Sequence, residues 1–296
     1  MVQLETQTRK AGDVLAIELS HIHTIRREME AGRPIMIVNI TNVKGSAPRD
    51  GDASMFVTPA LQAGTIGGGQ LEWIAIGHSR EMMEKGASAD TMDVPLGPEI
   101  GQCCGGRVVL GFACVDAAML AQIEADAISA AEELPQVWIF GAGHTGKALA
   151  AAMAGLPMKT WLVDSREEAF SGWDSPVSTI RTAIAEAEVR KARPASAFVT
   201  MTHSHSLDFL ITAEALARGD GAYVGMIGSA TKRAVFASWL RDHDYREALI
   251  GELVCPIGGS QVHDKRPEVI AALTAAQILT ALHMHRLQSQ SSERIS

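Results

Sequence analysis

Charge of one sign is nowhere concentrated in this chain. The net charge is -8 and no block of five or six like charges occurs, so the electrostatic footprint of a nucleic-acid partner is missing. Cysteine is scarce: four residues without a framework spacing exclude a disulfide scaffold and fit a reducing compartment. No apolar run approaches the length needed to span a bilayer. The polar opening MVQLETQTRKAGD carries no apolar segment of the kind a signal peptide needs. Tyr and Phe are sparse, with 2 and 7 residues, yet a hydrophobic fraction of 47% suffices for substantial cores. A length of 296 residues allows two ordinary domains. These absences predict a soluble, cytoplasmic protein without a membrane or nucleic-acid partner.

What is present is organised around Gln136–Arg166, QVWIFGAGHTGKALAAAMAGLPMKTWLVDSR. Val137–Phe140 is a continuous apolar run, as in a strand covered on both faces. Gly141, Gly143 and Gly146 fit G-x-G-x-x-G. The first glycine permits a tight turn, the second lets backbone approach a pyrophosphate, and the third allows helix to pack on strand. From His144 an alanine-rich helix points its N-terminal amides at any anion there. Asp164 closes the next strand about twenty residues on, where a carboxylate would meet a ribose hydroxyl, and Arg166 follows it. Strand, turn, helix and acid in register predict a Rossmann-like unit. Such a unit binds a nucleotide or another phosphate ligand, or keeps the fold after losing the ligand.

The chain before this stretch predicts an N-terminal α+β domain over residues 1–115, rich in glycine loops. A helix is expected over Asp13–Ala31, strands at Pro34–Thr41 and Ser54–Thr58, a helix through Gln70–Lys85, and strands at Thr91–Leu96 and Arg107–Val115. Asp116–Glu133 reads as an acidic, alanine-rich helix, and residues 116–135 as a helical linker closed by Pro135. Residues 136–287 read as a doubly wound parallel sheet, with strands at Ala197–Thr202 and Ala222–Ile227 alternating with helices at Leu207–Arg218 and Thr231–Asp242. The last helix, from Pro267, is apolar on much of its circumference and needs burial against the sheet or a second subunit. The polar residues 288–296 are expected to be a disordered tail.

Three loops could carry chemistry in the first domain: Gly45–Gly51 with Ser46 and Arg49, Gly64–Gly69 followed by Gln70, and Gly101–Gly106 followed by Arg107. Any one of them is readable as a tight turn. Three in one small domain point to an oxyanion or phosphate held by backbone amides and an arginine fork. Cys103 and Cys104 are adjacent, without the spacing of a tetrahedral zinc site. A loop thiolate suits a soft metal or sulfur transfer, and a buried apolar role is the alternative. Cys114 alternates with Phe112 on a strand and reads as core, and Cys255 as structural. Thr202–Asp208 ends a parallel strand, the edge where open sheets bind ligands. There His203 and Asp208 could position a ligand or move a proton, and Ser206 could cap the next helix. Ser229 and Lys232 open a further helix at the same edge, as a solvated basic turn or as anion contacts.

Taken together, these motifs resemble the xanthine dehydrogenase accessory proteins, the XdhC/CoxI family of molybdenum-cofactor chaperones, over nearly the whole chain. The matching elements are GSAPR at Gly45–Arg49, GTIGGGQLEW at Gly64–Trp73, GQCCGG at Gly101–Gly106 and GAGHTG at Gly141–Gly146. THSHSLD at Thr202–Asp208, VGMIGSATKR at Val224–Arg233 and the CPIG segment from Cys255 also match. Gly258–His263 departs from the pattern in being more polar. The resemblance implies a carrier that holds the molybdenum cofactor, supports its sulfuration by a cysteine desulfurase and delivers it to xanthine dehydrogenase or a related hydroxylase. The candidate cofactor-binding set is then Ser46, Arg49, Gly67, Gly68, Gly69, Gln70, Cys103, Cys104 and Arg107 in the first domain. In the second it is Gly141, Gly143, His144, Gly146, Asp164, Arg166, His203, Asp208, Ser229 and Lys232. Cys103 and Cys104 are the expected metal contacts, a separate nucleotide could occupy the Rossmann cleft, and a homodimer is expected through the last helix. The rival is an NAD(P)-dependent oxidoreductase built on Gly141, Gly143, Gly146 and Asp164. No acid/base pair for hydride transfer accompanies that fingerprint, and it does not explain the cysteine loop. A purely structural assembly subunit, binding neither ligand, is the third reading.

Overall fold

The first apolar strand is buried on both faces, and that alone requires three layers. The computed structural model describes residues 19–45, 53–97 and 105–293. The chain divides into two units, Met1–Glu133 and Leu134–Ser296.

In the first unit, strands β1 (Met36–Lys44), β2 (Ser54–Val57), β3 (Gln62–Gly64), β4 (Ala89–Pro95) and β5 (Arg107–Cys114) form an antiparallel sheet in the order β3-β2-β1-β5-β4. Side chains alternate across a strand. Met36, Val38 and Ile40 therefore meet Leu71, Ala75 and Met82 of helix α2 (Gly69–Lys85). Ile35 and Ile37 face the other way, onto α1 (Leu19–Glu30) and α3 (Ala117–Glu132). The helix expected as a linker is α3, and it lies within this core. Its Leu120, Ile123, Ala127 and Ala130 form an apolar stripe at helical spacing, buried with Ile22 and Ile25 of α1. Asp116 caps it, accepting from the Met119 amide at 2.7 Å. Cys114, expected in the core, is exposed. It stands on the Phe112 face, but α2 has ended at Lys85, and the chain passes alongside as the Ser88 carbonyl accepts from the Cys114 amide.

The second unit is a six-stranded parallel sheet of β6 (Gln136–Phe140), β7 (Lys159–Asp164), β8 (Ser178–Arg181), β9 (Ala197–Thr200), β10 (Tyr223–Met226) and β11 (Leu253–Val254). Its order is β11-β10-β9-β6-β7-β8. Counted from β6, this is the dinucleotide-binding order 3-2-1-4-5-6, with its switch point between β6 and β9. Val137 and Ile139 pack against α4 (His144–Met153) and α8 (Pro267–Glu293), whereas Trp138 and Phe140 face α5 (Ala185–Lys191), α6 (His205–Arg218) and α7 (Ala230–Asp242). The doubly wound expectation holds.

Helix α8 extends past Gln288, where the tail was expected to be disordered. Ser289 and Ser291 there donate to carbonyls four residues back. By length and composition α8 could also cross a bilayer, contrary to the expectation that no run would suffice. Its Ala271, Thr274, Ala275 and Ile278 are instead buried, the three apolar ones in the core beneath α4.

Two glycines of the β6–α4 turn are required by packing. A Cβ on Gly146 would lie 1.8 Å from the Gly141 carbonyl oxygen, and one on Gly141, whose φ is +116°, would lie 2.3 Å from the Met201 carbonyl oxygen. Both obstacles are backbone and cannot rotate away. Gly143 differs: its φ is -75° and a Cβ there would meet nothing within 4 Å. Gly146→Ala is therefore expected to cost more than about 3 kcal/mol in urea unfolding. Gly143→Ala should cost less than about 1 kcal/mol, the ordinary difference between Gly and Ala at a helix N-cap.

Candidate functional site

Parallel strands deliver their C-terminal ends to one edge, so the second unit gathers its expected site residues there. The turn after β6 is anchored on both sides: the Gly141 amide donates to the Val163 carbonyl at 2.8 Å, and the Met201 amide to the Phe140 carbonyl at 2.8 Å. Beyond it Gly143 and His144, at the first turn of α4, are exposed. The amides of that turn have no partner within the helix. A narrow cleft beside the turn is walled by Gly141, Asp164, Ser165, Thr182 and His203. His203 itself is exposed.

Asp164 is placed at this cleft, but its carboxylate is already engaged. Oδ2 accepts from the Ala142 amide at 2.8 Å and from Arg166 Nη2 at 2.9 Å; Oδ1 accepts from the Arg166 amide and Nε, both at 3.0 Å. Burial alone would raise this carboxyl. The hydrogen bonds from the Arg166 side chain, the Arg166 amide and the Ala142 amide outweigh burial and hold it at about 2.

Asp208 and Lys232 form a second clamp. Asp208 is fully buried; it accepts from the Thr202 amide at 2.7 Å and from Lys232 Nζ at 2.5 Å. Lys232 also donates to the Ile227 carbonyl at 2.9 Å. The pair ties the end of β9 to the start of α6 and the start of α7. Removing either partner would leave a buried charge uncompensated. Ser229 caps α7 by accepting from the Lys232 amide. The cap of α6 is Ser204, accepting from Leu207, rather than Ser206, because the helix starts two residues earlier than expected. Cys255 is buried, its thiol 3.9 Å from the Ser229 carbonyl, and burial pushes the thiol up, which suits the structural role expected of it.

A cavity of about 430 Å³ opens at the opposite edge, where β7 begins, against Met158, Thr160 and Trp161. Lys159 is its single charged lining residue, so its size outruns its chemistry and the switch-point edge is the better site.

In the first unit the register brings the described ends of two glycine-rich segments together at one end of the sheet. β1 and β5 are antiparallel with Lys44 opposite Arg107, so Gly45 and Gly106, the residues next to the two strands, meet there. A Cβ on Gly45 would lie 3.3 Å from the Gly106 Cα. β2 starts and β3 finishes part-way along β1, since Ser54 lies opposite Asn39, and Met55 opposite both Val38 and Gly64. Ser46, Arg49, Cys103 and Cys104 lie outside the described residues; Gly45, which precedes Ser46, and Gly106, two residues after Cys104, stand at the end where Lys44 faces Arg107. Arg107 is paired with Asp93 at 2.9 Å on the surface.

Gly67, Gly68 and Gly69 all have positive φ, of 124°, 82° and 64°. Their turn is held by Glu72, which sequence reasoning overlooked. The Glu72 carboxylate accepts from Thr65 Oγ1 at 2.5 Å, the Ile66 amide at 3.1 Å and the Gly68 amide at 2.9 Å, and the Gly67 amide donates to Thr65 Oγ1. The amides of Gly67 and Gly68 are thus satisfied internally, and the open donors of this loop belong to the first turn of α2, at Gly69 and Gln70. The available signal was an acid in the first turn of a helix that follows a glycine run.

Comparison with known proteins agrees with this architecture. Residues 29–94 match the model of the XdhC and CoxI family, and residues 137–278 match that of the XdhC Rossmann domain. The chain is 24% identical over 257 residues to the uncharacterized protein YqeB of Escherichia coli K12, covering 84% of this chain but 44% of that protein. The chain thus spans less than half the length of that curated relative. A solved structure described as a xanthine dehydrogenase from Bacillus halodurans shares the fold, with a TM-score of 0.72 at 17% identity over 89% of this chain and 96% of that one.

The Asp164 clamp gives a pH signature. Because the folded carboxyl is depressed, its contribution to stability is present above the ordinary Asp value of about 3.9 and is lost as pH falls toward 2. It amounts to on the order of 2 kcal/mol. Urea midpoints at pH 5 and pH 2.5 should fall less for Asp164→Asn than for the wild type; equal falls would mean that Asp164 is not depressed.

Proposed function

We propose, for a chain that belongs to the XdhC and CoxI family, a carrier role: it holds the molybdenum cofactor, supports its sulfuration by a cysteine desulfurase and delivers it to the hydroxylase. Family membership by itself supports the coarser statement, an accessory role in xanthine dehydrogenase maturation. The observation that supports the finer reading is the approach of Gly45 to Gly106 at one end of the first sheet, the described ends of two glycine-rich segments, with Cys103 and Cys104 close before Gly106 in sequence. Backbone amides at the start of α2 suit the cofactor's phosphate, and a loop thiolate suits molybdenum.

The second unit favours holding over catalysis. Its best-placed carboxylate, held at about 2, is a poor general base near neutral pH. Asp208 and Lys232 neutralise one another. The open approach over Gly143 nevertheless favours a nucleotide in this cleft, either the cofactor's own or a separate one. Exposed Leu279, Met284 and Leu287 on α8 support a homodimer through that helix.

The test is cofactor retention. Chain purified from cells that make the cofactor, and from cells that cannot followed by incubation with it, is passed through gel filtration. Molybdenum and the fluorescent oxidised pterin are then quantified. Near-stoichiometric retention, lost in the Cys103→Ala/Cys104→Ala double variant, is expected. Equal retention by the double variant would remove the cysteines from the site, and none by either preparation would overturn the carrier reading.

A further inference from the structure

The carboxylate at the end of β7 has no acceptor capacity left. Two carboxylate oxygens offer about four lone-pair sites, and four N–H groups fill them: the Ala142 amide, the Arg166 amide, Arg166 Nε and Arg166 Nη2. In a dinucleotide fold this acid accepts from the ribose hydroxyls. Here a free diol would have to displace Arg166 from a carboxylate whose side chain is 3% exposed.

Arg166 points the other way chemically. A guanidinium carries five N–H donors, of which Asp164 engages two, and the side chain is 36% exposed at the mouth of the edge. On the neighbouring strand, Arg181 of β8 is the register partner of Asp164, and its guanidinium is engaged with Glu167. Glu168, on the following turn, also faces Arg166. An arginine with donors to spare beside a saturated acid, next to the open approach over Gly143, makes a place for a phosphate attached to the sugar.

Resting on the reading of this cleft as a nucleotide site, the geometry points to a ligand whose sugar beside β7 carries a phosphomonoester. A ligand presenting a free 2′,3′-diol is rejected. Arg166 is the specificity-determining residue, and it acts twice, by contacting the phosphate and by closing Asp164 to hydroxyls.

Isothermal titration of the full chain with NADP+ and NAD+ tests this, both being dinucleotides that differ only by the 2′-phosphate. NADP+ is expected to bind at least about tenfold more tightly, the size of one good charge-assisted contact. Arg166→Ala should invert the order, weakening NADP+ while strengthening NAD+, because Asp164 regains two acceptor sites. Arg166→Lys, which keeps the charge without the fork, should leave NADP+ ahead by a smaller margin. A merely structural Arg166 would weaken both nucleotides alike, and that result overturns the proposal. Equal binding of both nucleotides by the wild type, unmoved by Arg166→Ala, overturns the discrimination while leaving the cleft a nucleotide site. Binding of neither by a chain that melts cooperatively overturns the nucleotide reading as well. The carrier reading is judged separately, by cofactor retention.

Discussion

The turn after β6 depends on a single carboxylate. Asp164 accepts the Ala142 amide across the edge of the sheet, and Arg166 holds Asp164 in place to do so. Gly141 and Gly146 are fixed by steric contact, so the acid supplies the remaining constraint: it satisfies a backbone donor at the point where the chain turns from strand to helix. Without it the amide would be buried and unpaired, at a cost of roughly 1–3 kcal/mol. With it, the first turn of α4 is left as the open part of the loop.

The first unit solves the same problem with a different acid. Glu72 reaches back from α2 to hold the Thr65–Gly68 turn, as Asp164 reaches across from β7. In both units a carboxylate meets the donors that folding creates, and the helix N-terminus is left for an anion. A glycine-rich loop is therefore not uniformly available to a ligand. The positions that matter are those whose glycine is not demanded by φ or by a neighbouring backbone, and Gly143 is the clearest of them.

Much of this was legible in the residues. The apolar run Val137–Phe140, the spaced glycines and Asp164 fixed the second unit, because parallel strands buried on both faces have an unambiguous composition. The elements that escaped notice are short or polar. β8 is four residues with three exposed, α5 is seven residues rich in charge, and β11 is two residues long. Such pieces are set by their place beside a formed sheet rather than by their own periodicity. The helix α3 was legible as a helix but not as core, since an alanine-rich stripe declares its burial only once α1 and β1 stand opposite. Among site residues, position was readable and partnership was not. Nothing in the spacing of Asp208 and Lys232 indicates that they neutralise one another, and nothing in Asp164–Arg166 indicates that the acid is already saturated.

Amide hydrogen exchange in the free chain tests the central claim most directly. If Asp164 holds the turn and leaves the helix start open, the Ala142 amide exchanges as slowly as the strand amides of Ile139 and Phe140. Gly143 and His144 then exchange orders of magnitude faster, at the low-stability end of the molecule. Ala142 exchanging as fast as Gly143 would contradict the account, because the carboxylate would then not be holding the turn.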